Sequence, residues 1–195
     1  MVTAMIRPHI VVVAVLALAG CSTNSTKSPT ELPPPFTADV AGGPLISGNG
    51  YTFVLPRGGA QSKQRSEEVD TMAVDHRTRD DFAGNVSVAL HPGDPYTPEE
   101  AEESARNNLP DSGVRDISVQ DRVQIAGVAS AHIIGEASVG SQDYTVEQFY
   151  PTRGDQMFIV TFSFGTNVTA KQRTEVIEAS LVSWDWMPLR PSATP

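Results

Sequence analysis

The sequence has few of the residues on which covalent and metal chemistry usually depends. Cys21 is the only cysteine among 195 residues, so the chain cannot form an internal disulfide or a site with several thiolates. None of its four histidines has the His-x-x-x-His spacing of a zinc-binding helix. The Gly-x-Ser-x-Gly nucleophile motif of α/β-hydrolases is also absent. The sequence therefore predicts no catalytic residue, no metal and no cofactor, and we interpret the chain as non-enzymatic, with a hydrolase as the least favoured alternative.

Long apolar runs and positive charge are also scarce. The apolar run at residues 10–18 (IVVVAVLAL) is short compared with the roughly 20 residues that span a bilayer. The formal net charge is −9, and it would be −10 without Arg7. This acidity argues against nucleic acid as a partner and against electrostatic attraction to anionic lipid. Hydrophobic residues make up 39% of the chain, which favours a packed domain over disorder.

The amino-terminal segment has the pattern of an export signal. Arg7 precedes the apolar run, and Leu18-Ala19-Gly20-Cys21 follows it. This tetrapeptide resembles the lipobox of bacterial lipoproteins. The resemblance implies that residues 1–20 are a signal peptide and that Cys21 carries an S-diacylglycerol group and an N-acyl chain. We therefore expect a protein held at the extracytoplasmic face of the cell membrane, because two or three acyl chains give a stable anchor.

Composition divides the remaining chain into three parts. Residues 21–47 contain the lipidation site and a stretch rich in Ser, Thr and Pro, which predicts a flexible tether. Residues 48–187 show the patterns of one α+β domain. Residues 188–195 are predicted to be a disordered tail.

The first half of the domain predicts three strands and a helix. Tyr51, Phe53 and Leu55 alternate before a Pro-Arg-Gly-Gly stretch, which is typical of a strand and its end. Residues 69–77 and 85–91 are the next predicted strands. Thr97 and Glu100 form a capping-box pattern that predicts the start of a helix. The buried stripe of this helix is expected to consist of Ala101, Ala105 and Leu109.

The second half predicts a β-meander followed by a second helix. Alternating apolar residues from Ile117 onward indicate successive antiparallel strands, with a turn at Gly127. Residues 157–164 are apolar at nearly every position, which predicts a strand covered on both faces. Thr169 is expected to cap a helix whose buried residues are Ile177, Leu181 and Trp184.

Three short segments carry a resemblance to a known family. They are residues 51–56 (YTFVLP), 125–129 (IAGVA) and 154–162 (GDQMFIVTF), with Ser183-Trp184 closing the pattern. In element order and in these segments, the chain resembles the PsbP-like superfamily, which includes Ran-binding relatives, and within it the LpqN-type lipoproteins of actinobacteria. The resemblance implies an α/β sandwich in which two principal helices pack on a mainly antiparallel sheet. It implies no shared catalytic residue, because fold similarity does not transfer activity.

Three histidines and one serine are candidate site residues by their chemistry. His76 lies near Asp75, Asp80 and Asp81 in the sequence, but adjacent strand residues point to opposite faces, so a metal site is disfavoured. His91 is interpreted as the end of a strand. His132 is expected to be a half-exposed sheet residue, and Ser138 is expected to be an ordinary strand residue.

The acidic start of the first helix and the final aromatic residues leave alternatives open. Glu99, Glu100, Glu102 and Glu103 could recruit a basic partner or Ca²⁺, but solvation and the helix dipole also explain them. Trp184 is expected in the core, whereas Trp186-Met187-Pro188 is a candidate contact surface. The favoured function is binding of an envelope protein or cell-wall partner. The alternative is carriage of an envelope lipid or other apolar ligand, lined by the row of Phe158, Phe162 and Phe164.

Overall fold

A computed structural model describes residues 32–63, 68–75, 82–91 and 93–188. The predicted signal peptide, Cys21, residues 189–195, His76, Asp80 and Asp81 lie outside these ranges, so their interpretation stays a prediction. Within the described ranges, neither helix combines the length and apolarity needed to traverse a bilayer.

The secondary structure places one helix in the middle of the chain and one near its end. The helices are α1 (Pro98–Asn108) and α2 (Ala170–Leu181), and a 3-10 turn at Pro110–Ser112 follows α1. The strands are, in chain order, β1 (Leu45–Ser47), β2 (Tyr51–Val54), β3 (Gly59–Gln61), β4 (Thr71–Asp75), β5 (Asn85–Leu90), β6 (Arg115–Val119), β7 (Val123–Ile125), β8 (Val128–Ser130), β9 (His132–Val139), β10 (Gln142–Phe149), β11 (Thr152–Arg153), β12 (Gln156–Gly165) and β13 (Asp185–Trp186).

The strands form one large sheet and two small ones. The large sheet has the order β3-β4-β5-β12-β10-β9-β6, and β11 adds to one end of β12. All pairings in it are antiparallel. A second sheet has the order β1-β2-β13, and β7 and β8 form a hairpin. The turn of that hairpin is Ala126-Gly127, where both residues have positive φ, which matches the turn predicted at Gly127.

The large sheet carries a separate apolar core on each face. Helix α1 covers one face, where Ala101, Ala105 and Leu109 pack against side chains from β9, β10 and β12. Helix α2 and the β1-β2-β13 sheet cover the other face, which is lined by alternate residues of β12, from Phe158 to Phe164. The architecture is therefore an α+β sandwich with a mainly antiparallel sheet and two principal helices, and this confirms the predicted fold class.

The local predictions for both helices are confirmed. Thr97 and Thr169 each accept a hydrogen bond from the backbone N–H three residues later, and Glu100 and Gln172 reach back to complete the two capping boxes. The predicted stripes are buried, including Trp184 just beyond α2. Strand β12 is buried from Met157 to Gly165, on both faces, as its continuous apolar sequence predicted.

The predicted boundary between tether and domain is wrong. Residues 32–47 belong to the folded part, because β1 pairs with β2 and Ile46 is fully buried. The Ala41 N–H also donates to the carbonyl of Ala179 in α2. Gly43 lies so close to the end of β2 that a Cβ would be 2.4 Å from the Leu55 carbonyl oxygen. Gly43, one of the residues that suggested a flexible segment, therefore permits close backbone packing instead.

A candidate ligand-binding cleft and the ion cluster beside it

A cleft of about 440 Å³ lies between α2 and the β3-β4-β5-β12 side of the large sheet. Strand β12 supplies Phe162 and Phe164, and α2 supplies Val176 and Ser180. The other described lining residues are Leu55, Pro56, Gly59, Ala73, Val74, Asp75, Gly84, Asn85, Val86, Val168, Gln172 and Glu175. Most of these side chains are apolar, so the cleft suits a ligand with an apolar part.

Small residues explain why the cleft is not filled by the protein itself. Gly59, Ala73 and Gly84 lie along its wall, where larger side chains would close the space. A Cβ added at Gly84 would have its nearest neighbour, the Ser163 carbonyl oxygen, 3.7 Å away, which is ordinary van der Waals distance. Gly59, Ala73 and Gly84 therefore leave parts of this wall of the cleft without large side chains.

The phenylalanine row of β12 is divided between the closed core and this cleft. Phe158 is fully buried and packs edge-on against Tyr51 and Trp184, with ring centroids 5.4 and 6.4 Å apart. Phe162 and Phe164 lie further along the strand and line the cleft. The sequence could not decide whether this row was core or pocket lining, and it is both.

A buried ion cluster fixes α2 on the other side of the Phe162 ring. Glu147 of β10 is directly opposite Phe162 in the strand pairing. One oxygen of its carboxylate accepts a hydrogen bond from Arg173 Nε of α2 at 2.7 Å, and the other contacts His132 Nε2 of β9 at 2.9 Å. The guanidinium of Arg173 also donates to the Val168 carbonyl at 3.2 Å. The cluster thus ties the first half of α2 to two strands of the large sheet.

Glu147 is ionised within this cluster. Its side chain is only 6% exposed, and burial by itself would raise its pKa. The hydrogen bonds from His132 and Arg173, together with their charges, outweigh burial and leave the pKa of Glu147 below its ordinary value. The imidazole of His132 stacks on the fully buried ring of Phe149, with centroids 4.4 Å apart. The arrangement is that of a structural clamp, with all three polar groups engaged.

The sequence interpretation missed the role of Glu147 and Arg173. It placed His132 correctly on the face opposite Ala131 and Ile133, where the side chain is 17% exposed. One feature of the sequence did indicate this cluster, namely Glu147 itself. It shares one face of its strand with Thr145 and Phe149, and that face is buried. A carboxylate at such a position requires a partner, but the sequence does not say which helix residue provides it.

The other histidine and serine candidates lie apart from the cleft. His91 directly follows β5, is buried beside Tyr96, and has its pKa lowered by that burial. Ser138 lies in β9, as predicted, and its hydroxyl donates to Asp143 on the surface. Asp75 lines the cleft, whereas its proposed companion His76 lies outside the described residues. Among the described residues, no three His, Cys, Asp or Glu side chains are grouped closely enough to hold a metal ion.

The acidic first turn of α1 has a structural partner. Arg122, in the loop between β6 and β7, contacts the carboxylates of Glu99 at 2.5 Å and Glu102 at 2.6 Å. The hydrogen bond to Glu102 is the largest contribution that raises the pKa of Arg122. These two glutamates therefore fasten α1 to the sheet edge, which accounts for them without a Ca²⁺ ion or a basic partner.

Trp186 makes several contacts within the domain, so most of its side chain is not available as a contact surface for a partner. Its indole N–H donates to the Ala126 carbonyl at 3.1 Å, its ring lies 5.4 Å from Phe158, and the Arg153 guanidinium lies 5.8 Å above it. Met187 remains 44% exposed. Trp184 is core, as predicted. The candidate surface is therefore reduced to Met187 and Pro188.

Comparison with known proteins gives similarity in fold alone. No protein-family model matches the chain, and no curated protein matches its sequence. Among solved structures, the chain is similar to a Bacteroides thetaiotaomicron protein at 14% identity and a TM-score of 0.45. This match covers 74% of the chain but only 46% of that protein.

Two further similar structures are those of an LpqN protein and a cyanobacterial PsbP protein. LpqN of Mycobacterium tuberculosis, described as involved in cell envelope biogenesis, matches at 11% identity and a TM-score of 0.49, over 73% of this chain and 87% of that one. The cyanobacterial PsbP of Synechocystis sp. PCC 6803 matches at 17% identity and a TM-score of 0.47, over 71% and 87%. At these values the similarities assign neither a family nor a function to the chain.

Proposed function

We propose that this chain is a lipid-anchored envelope protein whose non-enzymatic domain binds the apolar part of a lipid in the cleft beneath α2. The observation that carries the proposal is the cleft itself, which is apolar, about 440 Å³ in volume and bordered by small residues. Small-molecule sites are typically apolar concavities of roughly 300–1,000 Å³ with a few polar groups. The polar groups here are the side chains of Asp75, Asn85, Gln172, Glu175 and Ser180.

A short tether would hold the domain near a membrane surface. If Cys21 is acylated, the segment between it and the described domain is residues 22–31. Ten fully extended residues reach about 35 Å. This tether is shorter than the one predicted from composition, because residues 32–47 lie on the domain. It would keep Leu32, where the described domain begins, within about 35 Å of the bilayer.

The favoured sequence hypothesis, binding of an envelope protein or cell-wall partner, has less support than the alternative of an apolar ligand. Its candidate surface depended on Trp186, whose ring packs on Phe158 and whose N–H is bonded within the domain. It stays a prediction whose described surface is reduced to Met187 and Pro188. The cleft has both a volume and a defined apolar lining, and we therefore favour ligand binding.

Ligand binding is tested with a pair of substitutions in α2. Both cores consist of residues between Ile46 and Trp184, so a chain starting at Ser22 retains all the described packing. Val176→Phe places a ring in the cleft, whereas Thr174→Phe adds the same ring on the exposed side of α2. The probe is an uncharged fluorophore on a 16-carbon alkyl chain. We expect at least tenfold weaker binding for Val176→Phe and less than a twofold change for Thr174→Phe. Equal binding by both variants, or none by the original chain, would contradict the proposal.

The anchor is tested on the full chain in a bacterial host. Metabolic labelling with an alkyne-bearing fatty acid should label the original chain and should not label Cys21→Ala. Mass spectrometry of the original chain should show an acylated amino-terminal cysteine. If Cys21→Ala is labelled to the same extent and has the same mature mass, the proposed anchor and location are wrong.

A further inference from the structure

We infer that the cleft binds its ligand in one direction, with the end of an apolar chain against Ala73 and a hydrogen-bond-accepting group of the ligand beside Gln172. This inference rests on the proposed function and adds to it the ligand class, a molecule with an acceptor group at the head of an apolar chain. Three observations carry it: one end of the cleft is closed, the other end is exposed, and the helix between them has a known length.

The closed end of the cleft is a row of three residues that neighbouring strands place side by side. Phe162 of β12 is opposite Val86 of β5, and Val86 is opposite Ala73 of β4. All three residues line the cleft, and each is at most 4% exposed. Because Ala73 is much smaller than its two neighbours, it leaves the most space for a ligand at this row.

The next row of the sheet is covered by the protein itself. It consists of Val160, Val88 and Thr71, none of which lines the cleft. Val160 and Val88 are fully buried, and the hydroxyl of Thr71 lies 2.6 Å from the hydroxyl of Tyr51 in β2. Strand β2 therefore covers the sheet at this row, and a ligand cannot extend beyond Ala73 in this direction.

Helix α2 runs in the direction opposite to β12, so its two ends correspond to the two ends of the cleft. Just before α2, the Val168 N–H donates to the carbonyl of Gly165, the last residue of β12. Just after α2, Trp184 packs on Phe158 near the start of β12, with ring centroids 6.4 Å apart. The last turn of α2 therefore lies toward the closed end of the cleft, and the first turn lies away from it.

The lining residues in these two turns of α2 differ in exposure. Ser180, in the last turn, is fully buried, and its hydroxyl donates to the Val176 carbonyl at 2.8 Å. Gln172, in the first turn, is exposed. A polar group of a ligand would lose its hydration at the Ser180 end, which is costly, whereas it would keep access to water at the Gln172 end.

Gln172 offers a hydrogen-bond donor at this open end. Its side-chain oxygen accepts hydrogen bonds from the N–H and the hydroxyl of Thr169, at 2.9 and 2.8 Å. Its amide nitrogen has no hydrogen-bond partner among the described residues. Because the helix cap holds the oxygen, the nitrogen is the atom left for a ligand, and it can donate to a carbonyl, ester or hydroxyl oxygen.

The distance between the two ends sets the length of chain that the cleft can hold. Gln172 and Ser180 are eight residues apart in α2, which corresponds to about 12 Å along the helix axis. An extended chain of single bonds advances about 1.2 Å per bond, since the three backbone bonds of a residue span about 3.6 Å. We therefore expect room for about ten carbons between Gln172 and the closed end.

Straight-chain methyl ketones of 6 to 14 carbons test this arrangement, because each has one acceptor group, no donor and one apolar chain. Their displacement of the fluorescent 16-carbon probe is measured on the chain starting at Ser22. We expect affinity to rise about fourfold for each added methylene while the chain is still being buried. Beyond about ten carbons, affinity should stay within twofold of its maximum.

The closed end is tested with Ala73→Val, which adds two carbons there. Ala60→Val is the matched control, because Ala60 does not line the cleft. It precedes Gln61, which is opposite Ala73, so its side chain points to the other face of the sheet. Ala73→Val should weaken binding of the ten-carbon ketone at least fivefold and leave the six-carbon ketone within twofold. Ala60→Val should change neither by more than twofold, and thermal unfolding establishes that both variants are folded.

The open end is tested independently with Gln172→Glu. This substitution keeps an oxygen for the capping box, places a negative charge where the helix dipole favours it, and removes the amide N–H. It should weaken binding of every methyl ketone at least threefold, because a carboxylate cannot donate to a carbonyl. It should change binding of the straight-chain alcohols of equal length by less than twofold, because a hydroxyl can donate to the carboxylate.

The outcomes separate this inference from the proposed function. If Ala73→Val weakens short and long ketones equally, the chain does not end at Ala73. If Gln172→Glu leaves the ketones unchanged, or weakens ketones and alcohols equally, the acceptor group does not lie beside Gln172. Either result overturns the inferred direction, although the cleft would still be an apolar site. If the fluorescent probe does not bind to the original chain, the proposed function itself fails.

Discussion

The two faces of the large sheet are built from similar strands but are closed in different ways. On the α1 face, the helix presents Ala101 and Ala105, both fully or nearly fully buried, so that it packs closely on β9 and β10. On the α2 face, large aromatic rings fill the region beneath β2, and a cleft opens toward β4 and β5. Small side chains thus have opposite effects on the two faces. On a helix they permit close approach, whereas on the sheet wall beneath α2 they leave a space.

The polar groups buried on the two faces of the large sheet also differ, because one face buries uncharged groups and the other buries a charged cluster. On the α1 face, uncharged groups form a short chain, in which Tyr150 donates to Gln148 at 2.7 Å and Gln148 donates to Thr161 at 3.1 Å. On the α2 face, the buried polar groups include a charged one, the ionised Glu147, which is bound to Arg173 and His132. A charge-assisted clamp between helix and sheet fixes α2 by a few directed bonds. These bonds can therefore hold α2 in place even though part of its sheet-facing side borders the cleft and does not pack against the sheet.

The largest expected effect compares the fully packed part of β12, at Phe158, with the part that borders the cleft, at Phe164. Phe158→Ala should lower the free energy of unfolding by about 3–5 kcal/mol, because it leaves a cavity in a fully packed region. Phe164→Ala should lower it by only about 1–2 kcal/mol, since one side of this ring already borders the cleft. Urea unfolding of the two variants gives the comparison. Equal losses would show that the region around Phe164 is as tightly packed as that around Phe158.

The sequence was sufficient to predict the fold class and most of the local secondary structure. Capping boxes at Thr97 and Thr169 involve residues three apart. The alternation in β2 and the continuous apolar run in β12 are also local, so these features could be predicted from short segments. The predicted tether failed for a physical reason. Residues 32–47 have little periodicity of their own, and they are held by distant groups such as the Ala179 carbonyl and the edge of β2.

The cleft could not be predicted because it depends on the distance between two elements. The sequence identified Phe162 and Phe164 as candidates for pocket lining, but Gly59, Ala73 and Gly84 come from three separate segments. Their small size matters only because β3, β4 and β5 are adjacent in the sheet. The ion cluster was missed for the same reason, since its three residues come from β9, β10 and α2.

A second prediction tests the clamp of the α2 face directly. Glu147→Gln removes the charge but keeps the shape of the side chain, and it leaves Arg173 without its buried counterion. We expect a loss of about 2–4 kcal/mol at pH 7. Glu175 is an exposed residue of α2. Glu175→Gln should therefore change the free energy of unfolding by less than about 0.5 kcal/mol. Urea unfolding of both variants measures the difference.

The effect of Glu147→Gln should depend on pH in a defined direction. The pKa of Glu147 is lower in the folded state than its ordinary value, so its contribution is complete above that ordinary value. The contribution is lost as the pH falls through the folded-state pKa. The difference between the original chain and the variant should therefore shrink as the pH falls from about 5 toward 3. A difference that stays constant over this range would mean that the charge of Glu147 does not stabilise the fold.

A third prediction adds bulk to each helix where it meets the sheet. Ala105→Leu should destabilise the protein by about 1–3 kcal/mol, because the α1 face has no space for the added carbons. Val176→Phe should leave stability unchanged or raise it slightly, since the ring occupies the cleft beneath α2. Thermal unfolding gives the sign of each effect. Destabilisation of similar size at both positions would mean that the cleft cannot accept a ring.

The smallest expected effects come from the capping boxes, of which each of the two helices has one. Thr97→Ala and Thr169→Ala should each cost about 1 kcal/mol, because each removes one cap from the first turn of a helix. Their effects on ligand binding should differ, since only α2 forms a wall of the cleft. Thr169 also holds the oxygen of Gln172, so its loss frees that side chain to rotate. We therefore expect two- to fivefold weaker binding of the fluorescent 16-carbon probe for Thr169→Ala and no change for Thr97→Ala. If the two variants weaken binding equally, the helix caps act through overall stability, and the orientation of Gln172 does not contribute to the site.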